Sequence, residues 1–173
     1  GSVQADIPVD SFVISEKSIG CDGVLRFYAN NESVCDHPFE EAFIRHCRWT
    51  PSAARPYVVN ADPGLADRLY DEEHTIKGVT LTAVGFYGPQ GRVLRLPLAM
   101  PGINDRITAF RYEGYKVTNY EMESAAITGL CNLLGHRAAT ICLIIANRIN
   151  GDASADYHSY MNKLIRYTLE KLS

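Results

Sequence analysis

The residues of this chain with the clearest chemistry lie at 118–124, which read Thr-Asn-Tyr-Glu-Met-Glu-Ser. Glu121 and Glu123 flank Met122 at the point where a β-branched and aromatic run gives way to an Ala-rich helical pattern. A carboxylate accepts hydrogen bonds from hydroxyl groups, and such a charge-assisted bond is roughly twice as strong as a neutral one. This junction therefore predicts a site for the hydroxyl groups of a sugar.

Two further segments end apolar runs with polar or aromatic groups. The first, at 86–92, reads Phe-Tyr-Gly-Pro-Gln-Gly-Arg, and the second, at 145–148, reads Ile-Ala-Asn-Arg. An amide such as Gln90 offers both a donor and an acceptor, and the guanidinium of Arg92 offers a fork of donors. Because ligands of open α/β sheets bind beyond the strand ends, we expect these segments and the acidic one to meet there.

Strand and helix patterns alternate along the chain and must position these groups. Buried or β-branched runs predict strands within 9–19, 79–86, 117–120 and 137–146. Apolar spacing and end signals predict helices at 38–47, 62–73, 103–113, 122–133 and from 153 to the end. Residues 24–37 and 49–61 fit neither pattern. The alternation favours an α/β fold, a three-layer αβα sandwich around a mixed central sheet, built as one domain over 1–173.

Composition excludes several classes of partner. A net charge of -3 lacks the basic excess that a nucleic-acid-binding surface needs, and no apolar run reaches the roughly 18 to 20 residues of a membrane span. Five Cys without a CxxC pair fit reduced thiols. Five His show no ligand spacing, so no metal site is expected. We expect a cytoplasmic protein with neither nucleic acid nor membrane as a partner.

The three segments, taken in order, resemble those of the nucleoside phosphorylase family and, within it, the uridine phosphorylases. Residues 86–92 are similar to a pyrimidine-selective loop, 119–124 to the ribose-binding segment, and 145–148 to a strand end that lines the base pocket. The resemblance covers nearly the whole chain, which corresponds to the C-terminal two-thirds of the family fold. The N-terminal part, with its Gly-rich phosphate-binding loop, has no counterpart here.

The resemblance implies an enzyme, a pentosyltransferase that cleaves uridine to uracil and ribose 1-phosphate in pyrimidine salvage. Inorganic phosphate is the co-substrate, and no cofactor is expected. Deoxyuridine is included if Glu123 tolerates a missing 2′ hydroxyl. By resemblance the protein also forms a homo-oligomer, a dimer or a hexamer.

The resemblance also assigns roles to individual residues. Glu123 holds the ribose hydroxyls, while Gln90 and Arg92 bind the pyrimidine and stabilise the charge that it gains, so these three are the expected catalytic residues. The remaining substrate-binding residues supply apolar, stacking or supporting contacts and are Phe86, Glu121, Met122, Ile145, Ala146 and Arg148. For Arg148, a structural ion pair is the alternative to contact with the base-binding loop.

Two other functions stay open at this stage. A purine nucleoside phosphorylase or a nucleosidase commonly needs an Asp at the strand end, where this chain has Asn147 and Arg148. A non-catalytic fragment that binds nucleosides, or contributes a surface to an assembly, would not need the phosphate-binding part of the family fold.

Overall fold

The computed structural model describes all residues from 1 to 173. Its strands are β1 (Phe12–Gly20), β2 (Tyr57–Asn60), β3 (Thr75–Thr82), β4 (Arg111–Tyr112), β5 (Tyr115–Glu121), β6 (Thr140–Leu143), β7 (Ala146–Asn147) and β8 (Asp152–Ala153). Its α-helices are α1 (His37–Cys47), α2 (Pro63–Leu69), α3 (Ile103–Ala109), α4 (Ser124–Leu133) and α5 (Tyr157–Leu172). None of these helices combines the length and the apolar character that crossing a membrane requires.

The centre of the sheet is the parallel trio β1, β3 and β5. Strand β2 runs antiparallel to the second half of β1, β6 runs antiparallel to its first half, and β4 forms a hairpin with β5. Gly20 is paired with Thr82, and Thr82 with Glu121. The carboxyl ends of the three parallel strands therefore lie side by side.

Helices cover both faces of this sheet, as the alternation of side chains along β2 demonstrates. Val58 joins the largest core cluster, to which α1 and α3 contribute, whereas Tyr57 and Val59 pack with Ala125 of α4. Successive strand residues point to opposite faces. The predicted αβα arrangement around a mixed sheet is confirmed.

Two helix starts follow the expected capping chemistry. The carboxylate of Asp62 accepts a hydrogen bond from the amide of Leu65 at 2.8 Å, and Pro63 occupies the first helical position of α2. Asp36 accepts from the amide of Phe39 at 3.3 Å at the start of α1. The predicted stop at Gly135 also holds, since this residue follows α4 with a φ of 73°.

Several predicted boundaries were wrong. Strand β3 ends at Thr82, so residues 83–86 lie in the loop beyond it. The helix predicted over 103–113 ends at Ala109, because the chain then turns through Glu113 and Gly114, both with positive φ, into the β4–β5 hairpin.

Other boundaries were wrong by similar amounts. Helix α2 ends at Leu69, β6 covers only Thr140–Leu143, and β2 was not predicted. Met122 lies before the first residue of α4 and outside its apolar stripe.

The first residues of the chain lie between β5 and β7. Ser2 donates to the carbonyl of Ala146 at 2.8 Å and accepts from the amide of Arg148 at 3.0 Å, while Val3 donates to the carbonyl of Thr118 at 3.0 Å. Residues 145–148 therefore reach β5 through this inserted segment. They follow β6, which is antiparallel to β1 and therefore does not belong to the parallel trio.

Candidate functional site

The carboxylate of Glu121 is fully engaged by the protein itself. One oxygen accepts from the backbone amides of Glu123 and Ser124 at 2.7 and 2.6 Å. The other accepts from the Ser124 hydroxyl at 2.8 Å and from the Thr82 hydroxyl. Four donors on two oxygens make Glu121 the anchor of the α4 start, where the helix dipole also favours a negative charge.

The side chains of Glu123 and Met122, by contrast, are exposed and take no part in this network. The Glu123 side chain forms no capping hydrogen bond and no ion pair. Its backbone amide is nevertheless fixed by Glu121. The arrangement thus supplies one free carboxylate on a backbone that is held in place.

Gln90 and Arg92 are brought together with Arg148, which lies 58 residues after Gln90 in the sequence. Arg92 donates from Nη1 to the amide oxygen of Gln90 at 2.8 Å, and Nη2 of Arg148 donates to the same oxygen. Neither guanidinium has a carboxylate partner, and burial, followed by the positive charge of Arg92, lowers the pKa of Arg148 to about 10. Of the two alternatives for Arg148, the structure has the contact with the loop and not an ion pair.

This contact fixes which atoms of Gln90 remain free. Gln90 is 3% exposed, and its oxygen receives both guanidinium groups. Two donors require an acceptor, so the oxygen faces the arginines and the NH2 group faces away, with no acceptor in the protein. Gln90 therefore offers a ligand two donor hydrogens, and its acceptor is already occupied.

Aromatic rings support both arginines. The guanidinium carbon of Arg92 lies 3.9 Å from the centre of the Phe86 ring, and that of Arg148 lies 4.3 Å from the centre of the Tyr120 ring. Phe86 is 54% exposed, and its ring also packs edge-to-face with that of Tyr87, with 5.4 Å between the ring centres. Ile145 is also exposed, and Ala146 pairs with the inserted segment beside it.

Two consecutive residues at the end of β5, Tyr120 and Glu121, connect the basic cluster to the start of α4. Tyr120 lies under Arg148, and the next residue, Glu121, anchors α4 on the other face of the strand. A ligand that contacts Glu123 and Gln90 together must cross this strand end. That both contact one nucleoside stays a prediction.

Three residues in this region were not predicted to take part. Asn147 is 1% exposed, and its amide binds the carbonyls of Gln4 and Ile7 and the amides of Ile149 and Asn150. Asn104 and Tyr120 contact the Gln90 turn and Arg148. No local sequence pattern indicates a role for Asn104 or Asn147, because each binds backbone groups, or side chains that are distant in sequence.

A large, mainly apolar cavity lies beside this cluster, not within it. Its volume is about 990 Å³, and it is walled mainly by apolar residues of the loop after β3, by Trp49 and by α3. Only Arg92 and Tyr120 belong to both the cavity and the polar cluster. No group of three or more His, Cys, Asp or Glu side chains is arranged to hold a metal ion.

Known proteins resemble this chain over part of their length. It is 34% identical over 105 residues to inactive uridine phosphorylase B of Schistosoma mansoni, matching 55% of this chain and 32% of that protein. It is 26% identical over 158 residues to the uridine phosphorylase of Thermococcus kodakarensis, matching 88% and 47%. The chain thus spans less than half the length of these relatives.

Solved structures agree on the fold. A Trypanosoma brucei nucleoside phosphorylase, described as showing uridine phosphorylase activity, superposes with a TM-score of 0.84 at 23% identity, over 99% of this chain and 60% of that one. The family model described as the phosphorylase superfamily matches residues 1–168. With nearly every residue inside that match, the chain belongs to the phosphorylase superfamily.

Proposed function

We propose that this chain forms the nucleoside-binding part of a uridine phosphorylase, which transfers ribose from uridine to inorganic phosphate. One observation carries the proposal. Two guanidinium groups without a carboxylate partner converge on Gln90 at the end of β5, where the exposed Glu123 begins the next helix. A positive cluster suits a base that leaves with negative charge, and a carboxylate suits a ribose that gains positive charge.

The chemistry is a displacement at C1′ of the ribose. The C1′–N1 bond breaks with its electron pair going to the base, a phosphate oxygen forms the new bond to C1′, and the base then takes up a proton. The NH2 group of Gln90 and the free nitrogens of Arg92 donate to carbonyl oxygens of the pyrimidine. Glu123 accepts from the 2′ and 3′ hydroxyls, and Phe86 offers a partly exposed aromatic ring.

The purine alternative has less support. It calls for an acid near Asn147 and Arg148 that protonates the leaving purine. The amide of Asn147 is used by four backbone groups, and the guanidinium of Arg148 is bound to Gln90. Neither residue supplies such an acid.

Nucleoside binding without turnover is the second candidate. One relative at 34% identity is itself described as inactive. A binder would keep the contacts of Gln90, Arg92 and Glu123 and release no product. Oligomeric state, cytoplasmic location and a role in pyrimidine salvage belong to the same proposal and need their own measurements.

Calorimetry and product analysis test the proposal together. The chain is titrated with uridine, inosine and phosphate, and the same mixtures are analysed for uracil and ribose 1-phosphate. Uridine binding with uracil release supports the phosphorylase, and uridine binding without release supports the binder. Binding of inosine in preference to uridine would show that the base assignment is wrong.

Alanine variants of Gln90 and Arg92 test the base contacts. Each should weaken uridine binding by about 1 to 3 kcal/mol, because a ligand carbonyl loses a donor at a half-buried site. Arg95 lies three residues after Arg92, forms no ion pair or hydrogen bond to the protein, and is the matched control. Equal affinities for Arg92→Ala, Arg95→Ala and the parent chain would remove Arg92 from the site.

A further inference from the structure

The turn that carries Gln90 is held by Asn104, the second residue of α3. The amide nitrogen of Asn104 donates to the backbone carbonyls of Gln90 and Gly91, both at 3.2 Å. Its amide oxygen accepts from the hydroxyl of Tyr120 at 2.9 Å. Every polar atom of the Asn104 side chain thus has a partner, and the directions of its donor and acceptor are fixed.

These contacts close a cycle of four residues. Asn104 binds Tyr120, the ring of Tyr120 supports the guanidinium of Arg148, and Nη1 of Arg148 donates to the carbonyl of Gln90 at 3.1 Å. Asn104 in turn binds that same carbonyl. The four residues come from α3, β5, the segment after β7 and the loop after β3. The cycle therefore connects four parts of the chain at the backbone carbonyl of Gln90.

The backbone of the turn is pressed against Asn104. Gly91 has a φ of 69°, a conformation that a side chain disfavours. A Cβ built on Gly91 would also lie 2.5 Å from the amide nitrogen of Asn104. The turn therefore has little room to change its orientation while Asn104 stays in place.

We propose that Asn104, held by Tyr120, is a positioning residue that sets the orientation of Gln90 and thereby the preference for the pyrimidine base. The inference rests on the proposed function, in which Gln90 donates to that base. Asn104 acts only through the turn, because its polar atoms are all used within the protein. Tyr120 has two tasks in this arrangement, since its hydroxyl orients Asn104 and its ring supports Arg148.

Asn104→Asp is the sharpest perturbation, because it changes one NH2 group to an oxygen and little else. The new carboxylate still accepts from Tyr120 but faces the carbonyls of Gln90 and Gly91 with a negative charge. Tyr120→Phe is the second variant, which keeps the ring under Arg148 and removes the hydroxyl. Asp105→Asn is the matched control, since Asp105 is the next residue, is exposed and forms no hydrogen bond.

Calorimetry with uridine and cytidine and hydrogen exchange at residues 90–92 form the test. Asn104→Asp should weaken uridine binding by about tenfold or more, through loss of a donor aimed at the ligand, and reduce the preference for uridine over cytidine. The amides of residues 90–92, which bond to carbonyls of the same turn, should exchange faster. Asp105→Asn should change neither quantity.

The outcomes separate this inference from the proposed function. If the parent chain binds no nucleoside, the proposed function is wrong, while the exchange rates still decide whether Asn104 holds the turn. An unchanged uridine preference and unchanged exchange in Asn104→Asp would overturn the inference. If Asn104→Asp does not fold, Tyr120→Phe decides, since an unaltered preference in that variant also overturns it.

Discussion

The two carboxylates of the acidic segment should differ sharply in what their removal does. Glu121 satisfies four donors, two backbone amides and two hydroxyls, at the start of α4, whereas the Glu123 side chain bonds to none. Glu121→Gln keeps the shape but replaces one acceptor oxygen with an NH2 group. Two of the four donors then lose their acceptor, and the helix start loses a negative charge.

The expected loss of stability follows from these contacts. A hydrogen bond contributes about 1 kcal/mol, and a charge at a helix N-terminus about 0.3 to 1 kcal/mol. Glu121→Gln should therefore lower the free energy of unfolding by about 2 to 3 kcal/mol. Glu123→Gln should change it by less than about 0.5 kcal/mol, as expected of an exposed group without partners. Urea unfolding followed by circular dichroism measures both.

For uridine affinity the order of the two variants should be reversed, with the larger loss in Glu123→Gln. Glu123→Gln removes charge-assisted bonds to the ribose and should weaken binding by about tenfold to a hundredfold. The reasoning is refuted if Glu121→Gln unfolds at the same urea concentration as the parent chain. It is equally refuted if Glu123→Gln destabilises the fold as much as Glu121→Gln, because Glu123 would then be a structural residue.

Three other features of the fold give separate predictions. Gly20→Ala places a Cβ about 2.2 Å from the buried ring of Tyr57 and should reduce the free energy of unfolding in urea by about 1 to 3 kcal/mol. Gly88→Ala should not, because its Cβ would lie 4.0 Å from the nearest atom, in the Leu98 side chain. Asp36→Ala removes both the cap of α1 and a 2.7 Å ion pair with Lys17. The free energy of unfolding in urea should fall by about 1 to 3 kcal/mol. A fall no larger than that caused by replacing an exposed Asp would contradict this prediction. Burial raises the pKa of Cys142 to about 11, so only about one Cys142 thiol in a thousand is ionised at pH 8. The rate of Cys142 alkylation, followed by mass spectrometry, should therefore rise about tenfold per pH unit from pH 8 to 10. A rate that does not change with pH would contradict the raised pKa.

The sequence alone determined the features that depend on neighbours along the chain. Asp62, followed by Pro63, starts a helix, and Gly135 ends one, because capping uses backbone groups within a few residues. The β-branched runs gave the main strands for the same reason. The order of three polar segments was also enough to indicate the family.

Tertiary structure alone decided which of these polar groups meet and which stay free. Arg148 reaches Gln90 only because residues 1–3 join β7 to β5, a pairing between the two ends of the chain. Asn104 and Asn147 take part through backbone partners that no local pattern indicates. A side chain's role depends on which donors and acceptors the folded chain has already used, and those partners come from distant segments. For that reason the sequence placed Glu121 and Glu123 together as ligand-binding acids, whereas the folded chain uses the first for itself and leaves the second exposed.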